Sequence, residues 1–342
     1  MIRDAAALLA RLRAIHVAIR DRVLATCAGS SPEALAEIVA DEGGDLIFAI
    51  DRAAEEVIRT EFAELARTWS CVLVGEGLGP TGEIVLPDGT AAERAELRII
   101  IDPIDGTRSL MYQKRPAWVL TGVAANRGPQ TSLADVELAV QTEIPLLRQH
   151  LCDCLWAGTD IPLGGERYDR LRVQHYPLTP RPSTATTIAH GFGNIVRYFP
   201  GARGFSAMID DELVERVLGP LRPGETALFE DQYPCTGGQF YHLMLGQDRW
   251  IADLRPLFRP WLEHRGRAMG HCCHPYDLCT ELVARAAGVL VSDVNGQPLA
   301  APLDVHGDVA WVGFANTAIR DQVLPVLQTL LSEHGLLGPG GA

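Results

Sequence analysis

"RIIIDPIDGTRSL", residues 98–110, drives three isoleucines into two aspartates held three residues apart. With Leu97 ahead of it, so apolar a run predicts a strand over 97–101 covered on both faces, because a half-exposed strand alternates apolar with polar residues. Such a strand delivers Asp102 to the end of a sheet, where ligand sites of open α/β sheets lie. Pro103 is expected to stop the strand. Asp105, Gly106 and Thr107 then read as a helix entry, with Asp105 as cap and the amides of Gly106 and Thr107 available to a phosphate oxygen.

Two carboxylates beside a buried strand are costly without partners. A pair of metal ions about 3.5–4 Å apart and bridged by Asp102 would resolve the conflict, and hard oxygen ligands favour Mg²⁺ over zinc. The bland alternative is an aspartate-rich turn. An EF-hand lacks its alternating ligands and final glutamate here. The DxDGT pattern of aspartyl-phosphate phosphatases places its aspartates two apart on one side of an extended strand, whereas Pro103 and Ile104 make a turn.

Working outward, "CVLVGEG" (71–77) reads as a buried strand ending in Glu76, and "GGDLIFAID" (43–51) carries Asp45 and Asp51 into a helix over 52–65. The first 23 residues place Leu8, Leu12, Ile15, Ile19 and Val23 at helical spacing with arginines interleaved, unlike a secretory signal. Downstream, strands are expected at 117–125, 136–142 and 152–158. The Gly-, Pro- and charge-rich stretch 164–181 suggests a boundary near residue 178, dividing 1–178 from 179–342. Beyond it, helices are expected near 206–219, 237–246 and 318–332, with a strand at 249–255. Elements mixed through both halves imply a layered α/β or α+β architecture.

The 342 residues allow two domains or one large layered one. A net charge of -13 argues against a nucleic-acid polymer as partner, and a bound divalent metal would supply the positive charge a phosphorylated small molecule needs. No apolar run reaches membrane length. Eight cysteines in no extracellular framework point to a reducing cytoplasm.

"HCCHPYDLC" (271–279) lacks the CxxC separation of a zinc site; His274 is expected to position the loop around Asp277 and contact substrate, while the cysteines pack. In "HGFGNIVRYFPGARGF" (190–205), His190, Arg197 and Arg203 are candidate anion binders on a pocket wall, Arg197 foremost. Arg108, Lys114 and Asp253 are further candidate substrate contacts.

"DPIDGT" with "VGEG", "GGDLIFAID" and "HPYDLCTELVARAAGVLVSDVNG" forms an ordered set that resembles the inositol monophosphatase family, within the superfamily of fructose-1,6-bisphosphatases and 3'-phosphoadenosine 5'-phosphate phosphatases. The resemblance covers roughly 35–125 and 236–300. It implies an αβαβα sandwich with the site between its halves, the first contributing most ligands and the second Asp277. It implies two to three Mg²⁺ ions held by Glu76, Asp102, the Ile104 carbonyl, Asp105 and Asp277. Asp45 and Thr107 would orient and deprotonate the attacking water, Glu76 would assist, and Gly106 and Thr107 would bind phosphate. Lithium sensitivity and a homodimer are also implied. The chain departs from the family at Gly77, usually a second carboxylate, at Phe48, usually threonine, at Tyr276, usually tryptophan, and at Gly270, where inositol-specific members carry glutamate.

The expected function is therefore a Mg²⁺-dependent phosphomonoesterase acting on a small phosphorylated polyol or sugar. Alternatives are a fructose-1,6-bisphosphatase, a histidinol-phosphate or 3'-phosphoadenosine 5'-phosphate phosphatase, or a phosphate-ligand binding protein without turnover.

Overall fold

The computed structural model describes residues 2–42, 45–79, 81–220 and 222–337, without the side chains of 39–42 and 45–47. The chain opens with α1 (Ala5–Gly29) and α2 (Pro32–Leu35), then a hairpin of β1 (Ile38–Glu42) and β2 (Asp45–Phe48) leading into α3 (Ala49–Leu65). Next come β3 (Cys71–Val74), β4 (Glu83–Leu86), β5 (Leu97–Asp105), α4 (Thr107–Met111), β6 (Ala117–Ala125), β7 (Val136–Ile144), β8 (Leu151–Gly158), β9 (Gly164–Asp169) and β10 (Gln174–Pro177). There follow β11 (Phe192–Ile195), α5 (Arg203–Leu218), α6 (Thr236–Met244), β12 (Asp248–Asp253), α7 (Arg259–Glu263), α8 (Pro275–Leu278), α9 (Glu281–Ala286), β13 (Leu290–Ser292), β14 (Trp311–Phe314) and α10 (Thr317–Glu333).

Helix and sheet layers alternate five deep. α1 and α3 pack on one face of an eight-stranded sheet ordered β10-β9-β8-β7-β6-β5-β3-β4. α6, α8 and α9 lie between its other face and a four-stranded sheet ordered β11-β12-β14-β13, which α5 and α10 cover on the far side. The apolar run of β5 explains its central place: Leu97, Ile99 and Ile101 join the core under α1 and α3, while Ile100 joins the core of the middle helix layer. Both faces are covered, as so continuous an apolar run requires. In α1, Leu8, Leu12, Ile15, Ile19 and Val23 form the buried stripe.

Two sequence expectations change. β5 does not end at Pro103; it runs to Asp105, absorbing the proline in an irregularity between Asp102 and Asp105 where pairing with β6 shifts register. A bulge tolerates a residue without an N–H donor. The stretch 164–181 is not merely a connection: β9 and β10 form an antiparallel hairpin at the sheet's edge. Apart from Asp169 its strands are half-exposed or exposed, so they lack the apolar alternation by which strands are recognised. All eight strands of the large sheet precede residue 178 and all four of the small sheet follow it. We propose residue 178 as the division between the two halves.

Gly122, in the middle of β6, lets the middle layer approach. A Cβ there would stand 2.7 Å from the Cys279 carbonyl oxygen, immediately after α8. Any side chain at 122 would push away the segment that carries Asp277. No helix among the described residues is long and apolar enough to cross a membrane.

Candidate metal centre

Only one neighbouring pair in the large sheet is parallel, β3 with β5, and its register matches Val74 to Ile100. Two residues further along each chain stand Glu76 and Asp102. Parallel strands in matched register bring residues 26 positions apart to one cleft.

Asp105 joins them from the irregular end of β5. Gly106 follows at φ +97°, and a Cβ there would press on Cys235 at 3.1 Å, so the turn into α4 requires glycine. Asp105 does not cap α4. Its Oδ2 instead accepts the Gly237 amide at 2.6 Å, from the first turn of α6. The last carboxylate comes from α8, where Pro275 occupies the first turn and Asp277 Oδ2 accepts the His274 amide at 2.7 Å. Asp102, Asp105 and Asp277 each place a carboxylate oxygen within 4.8 Å of the others. All three line a cleft of about 240 Å³, together with Glu76, Asp51, Gly106 and Thr107.

Packing three carboxylates together raises their affinity for protons. Burial, then the charges of Asp105, Asp277 and Glu76, pushes Asp102 well above the usual carboxylate range. Burial and Asp105 do the same to Asp277. Asp105 rises less, to about 6, because burial is offset by the hydrogen bonds from Gly237, Cys235 and Thr236. A cation among them removes the repulsion that causes these shifts. An all-oxygen donor set of this density fits a hard divalent ion, and Glu76, exposed at the cleft, adds a further carboxylate.

The other predicted residues divide. Thr107 Oγ1 lies 2.7 Å from the Ile104 carbonyl and 3.3 Å from Asp51 Oδ1. Its single proton serves one acceptor at a time. The Asp45 side chain lies outside the described residues. Among the described residues Asp51, six positions on, reaches Thr107, and its other oxygen accepts the Phe48 amide at 2.8 Å to cap α3. Its place three residues after the helix start is a sequence signal that points Asp51 back toward the turn.

His274 stacks on Tyr276, with centroids 5.2 Å apart, and is not among the residues that line the cleft. The Tyr276 phenol, between them, donates to Glu76 Oε1 at 2.5 Å. Arg197 is also outside the lining; its guanidinium is taken by Asp210 at 2.7 Å and by Glu230. Arg203 donates to three main-chain carbonyls instead of facing an anion site. Asp253 is fully buried against Arg255 and is no substrate contact. The stretch 190–205 does line the cleft, through Tyr198 and Phe199 and not through its arginines; Arg255, which also lines it, is what sequence reasoning missed.

Known structures repeat this architecture. Fructose-1,6-bisphosphatase of Leishmania major superposes with a TM-score of 0.66 at 13% identity, covering 95% of this chain and 93% of that one. The extragenic suppressor protein SuhB of Bartonella henselae gives 0.61 at 13% identity, covering 94% and 98%. The chain has the fold of these proteins. An inositol monophosphatase (IMPase) of Thermotoga maritima shares this fold at 0.58 and 16% identity, again over 94% and 98%. No family model matches the sequence, and no curated protein matches it. At such identities the fold persists because it depends on buried pattern and register, which many sequences satisfy.

Proposed function

We propose that the protein is a Mg²⁺-dependent phosphomonoesterase acting on a small phosphorylated metabolite. One observation carries this: Asp102, Asp105 and Asp277 converge from two parts of the chain, each with a carboxylate oxygen within 4.8 Å of the others, in a cleft with room for a small ligand. The fold shared with a fructose-1,6-bisphosphatase and an IMPase supports it.

Glu76, Asp102, Asp105 and Asp277 would hold Mg²⁺, with the Ile104 carbonyl joining when the Thr107 proton turns toward Asp51. Bound there, Mg²⁺ would supply Lewis acidity toward a phosphoryl oxygen and charge neutralisation in a protein of net charge -13. Asp51 and Thr107 form the general-base pair: the hydroxyl orients the attacking water and the carboxylate takes its proton. Tyr276 holds Glu76 in place by its hydrogen bond. Gly106 and Thr107, at the turn after the carboxylates, receive the phosphate oxygens.

The test is phosphate release from a panel of sugar, polyol and nucleoside monophosphates with Mg²⁺ and with a chelator. Turnover that persists after chelation removes the metal from the mechanism. In the same assay Asp51→Asn, which keeps an oxygen for the Phe48 amide, should lower kcat by roughly 100- to 10,000-fold with little change in Mg²⁺ affinity.

Affinity for Mg²⁺ should itself depend on pH. Protons leave the cluster when the ion enters, so binding tightens as pH rises through about 6, where Asp105 titrates, and further where Asp102 and Asp277 do. Stability of the metal-free protein moves the other way: folded-state carboxylates raised above their unfolded values bind more protons than the unfolded chain, so stability is lost as pH rises. Calorimetric titration at about pH 5.5 and pH 7.5 should differ by at least roughly tenfold in Kd; equal affinities would contradict proton-competitive binding.

A further inference from the structure

The cleft has a second half whose chemistry differs from that of its carboxylates. Tyr198 and Phe199 form one wall, on the segment between β11 and α5. Arg203 grips their backbone, donating Nε to the carbonyls of Arg197 at 3.1 Å and Phe199 at 3.0 Å, and a terminal nitrogen to Tyr198 at 2.5 Å. Arg255 holds the rings themselves, its guanidinium 4.8 Å from the Tyr198 ring and 5.3 Å from the Phe199 ring, with a bond to the Tyr198 hydroxyl at 3.2 Å. Arg255 is anchored by Asp253, which is 0% exposed. Phe48 also lines the cleft, and the Arg108 guanidinium lies 5.4 Å from that ring and 5.8 Å from Phe199. Ile58, Leu78 and Pro234 add to the apolar lining.

We propose that this half receives the alcohol portion of the substrate and selects phosphomonoesters whose alcohol carries a planar unsaturated ring over polyol phosphates. The inference rests on the phosphomonoesterase reading above and names its substrate class. A polyol needs a hydrogen-bonding partner for each hydroxyl it buries; Glu55, Thr236 and His271 line the same cleft, but a hydroxyl lodged against Phe48, Ile58, Leu78 or Phe199 finds none. Flat aromatic faces and guanidinium planes stack on flat rings. The wall is held from both backbone and side chain, so little order is lost when a ring docks.

The experiment uses two non-hydrolysable probes of equal charge and similar size, 2-phenylethyl phosphonate and 2-cyclohexylethyl phosphonate, titrated into the full chain with Mg²⁺ present. The phenyl compound should bind roughly fivefold tighter. Phe199→Leu, and separately Phe48→Leu, should bring the two affinities together, with thermal melting reporting that each variant is folded. In turnover, 2-phenylethyl phosphate should exceed glycerol 3-phosphate in kcat/KM by roughly tenfold or more.

Equal affinity for the two phosphonates, or a preference that survives both substitutions, overturns the inference. Glycerol 3-phosphate hydrolysed as efficiently as the phenyl ester overturns it too and leaves the phosphatase reading standing. If no ester is hydrolysed while the phenyl preference persists and disappears in the variants, the ring-binding wall stands and the hydrolase reading falls.

Discussion

Asp102→Asn should abolish Mg²⁺-dependent phosphate release, by about 1,000-fold or more, and at the same time raise the melting temperature of the metal-free protein. Both effects have one cause. Asp102 sits among Asp105, Asp277 and Glu76, and each of those charges, after burial, makes its ionised form unfavourable. Asparagine keeps the shape and an oxygen for the Ile104 amide, now 3.0 Å from Asp102 Oδ1, but removes a negative charge. Without metal that relieves repulsion; with metal it removes a ligand. Phosphate-release assays and thermal melts at about pH 8, with and without Mg²⁺, measure the two arms. A variant that is both inactive and unstable would mean instead that Asp102 holds the turn together, as an ordinary capped loop requires.

Arg255→Met should destabilise the protein by about 3–5 kcal/mol, the usual consequence of leaving one member of a buried ion pair alone. Asp253 is fully buried and Arg255 nearly so, with Nε at 2.8 Å and a terminal nitrogen at 2.5 Å from its carboxylate oxygens. The pair lies in the wall of the cleft, so loss of Arg255 also releases Tyr198, Phe199 and the His271 carbonyl it binds at 2.8 Å. Adding Asp253→Leu should recover most of the stability, because the uncompensated carboxylate is gone. It should not fully recover the ring-binding wall, since the guanidinium that binds the Tyr198 hydroxyl and lies over both rings is gone. Urea denaturation of the single and double variants separates these outcomes; a single variant within about 1 kcal/mol of wild type would show that the pair is more hydrated than its burial implies.

Local pattern carried the reading of the chain a long way. The apolar run of β5 named a two-sided buried strand, the stripe of α1 named its inner face, and the acidic turn named the end of the sheet where Asp102 and Asp105 stand. These features depend on periodicity and on the chemistry of adjacent residues, which a sequence displays directly. β9 and β10 escaped because an exposed edge hairpin need not alternate apolar with polar residues.

Side-chain direction was a different matter. Asp45 and Asp51 are equivalent as letters in "GGDLIFAID"; helix geometry after Phe48 turns Asp51 toward Thr107. Arg197 and Arg255 are both arginines beside aromatics, yet Asp210 and Glu230 hold the first outside the cleft while Asp253 holds the second in its wall. Burial pattern and local charge were enough for the layered fold and for the acidic turn of Asp102 and Asp105, whereas Glu76 and Asp277 were joined to it only by the family resemblance. That Asp51 meets Thr107, which arginine faces the cleft, and how aromatic its far wall is were decided only when layers distant in the chain packed together. Those outcomes depend on distances between elements that no local spacing encodes.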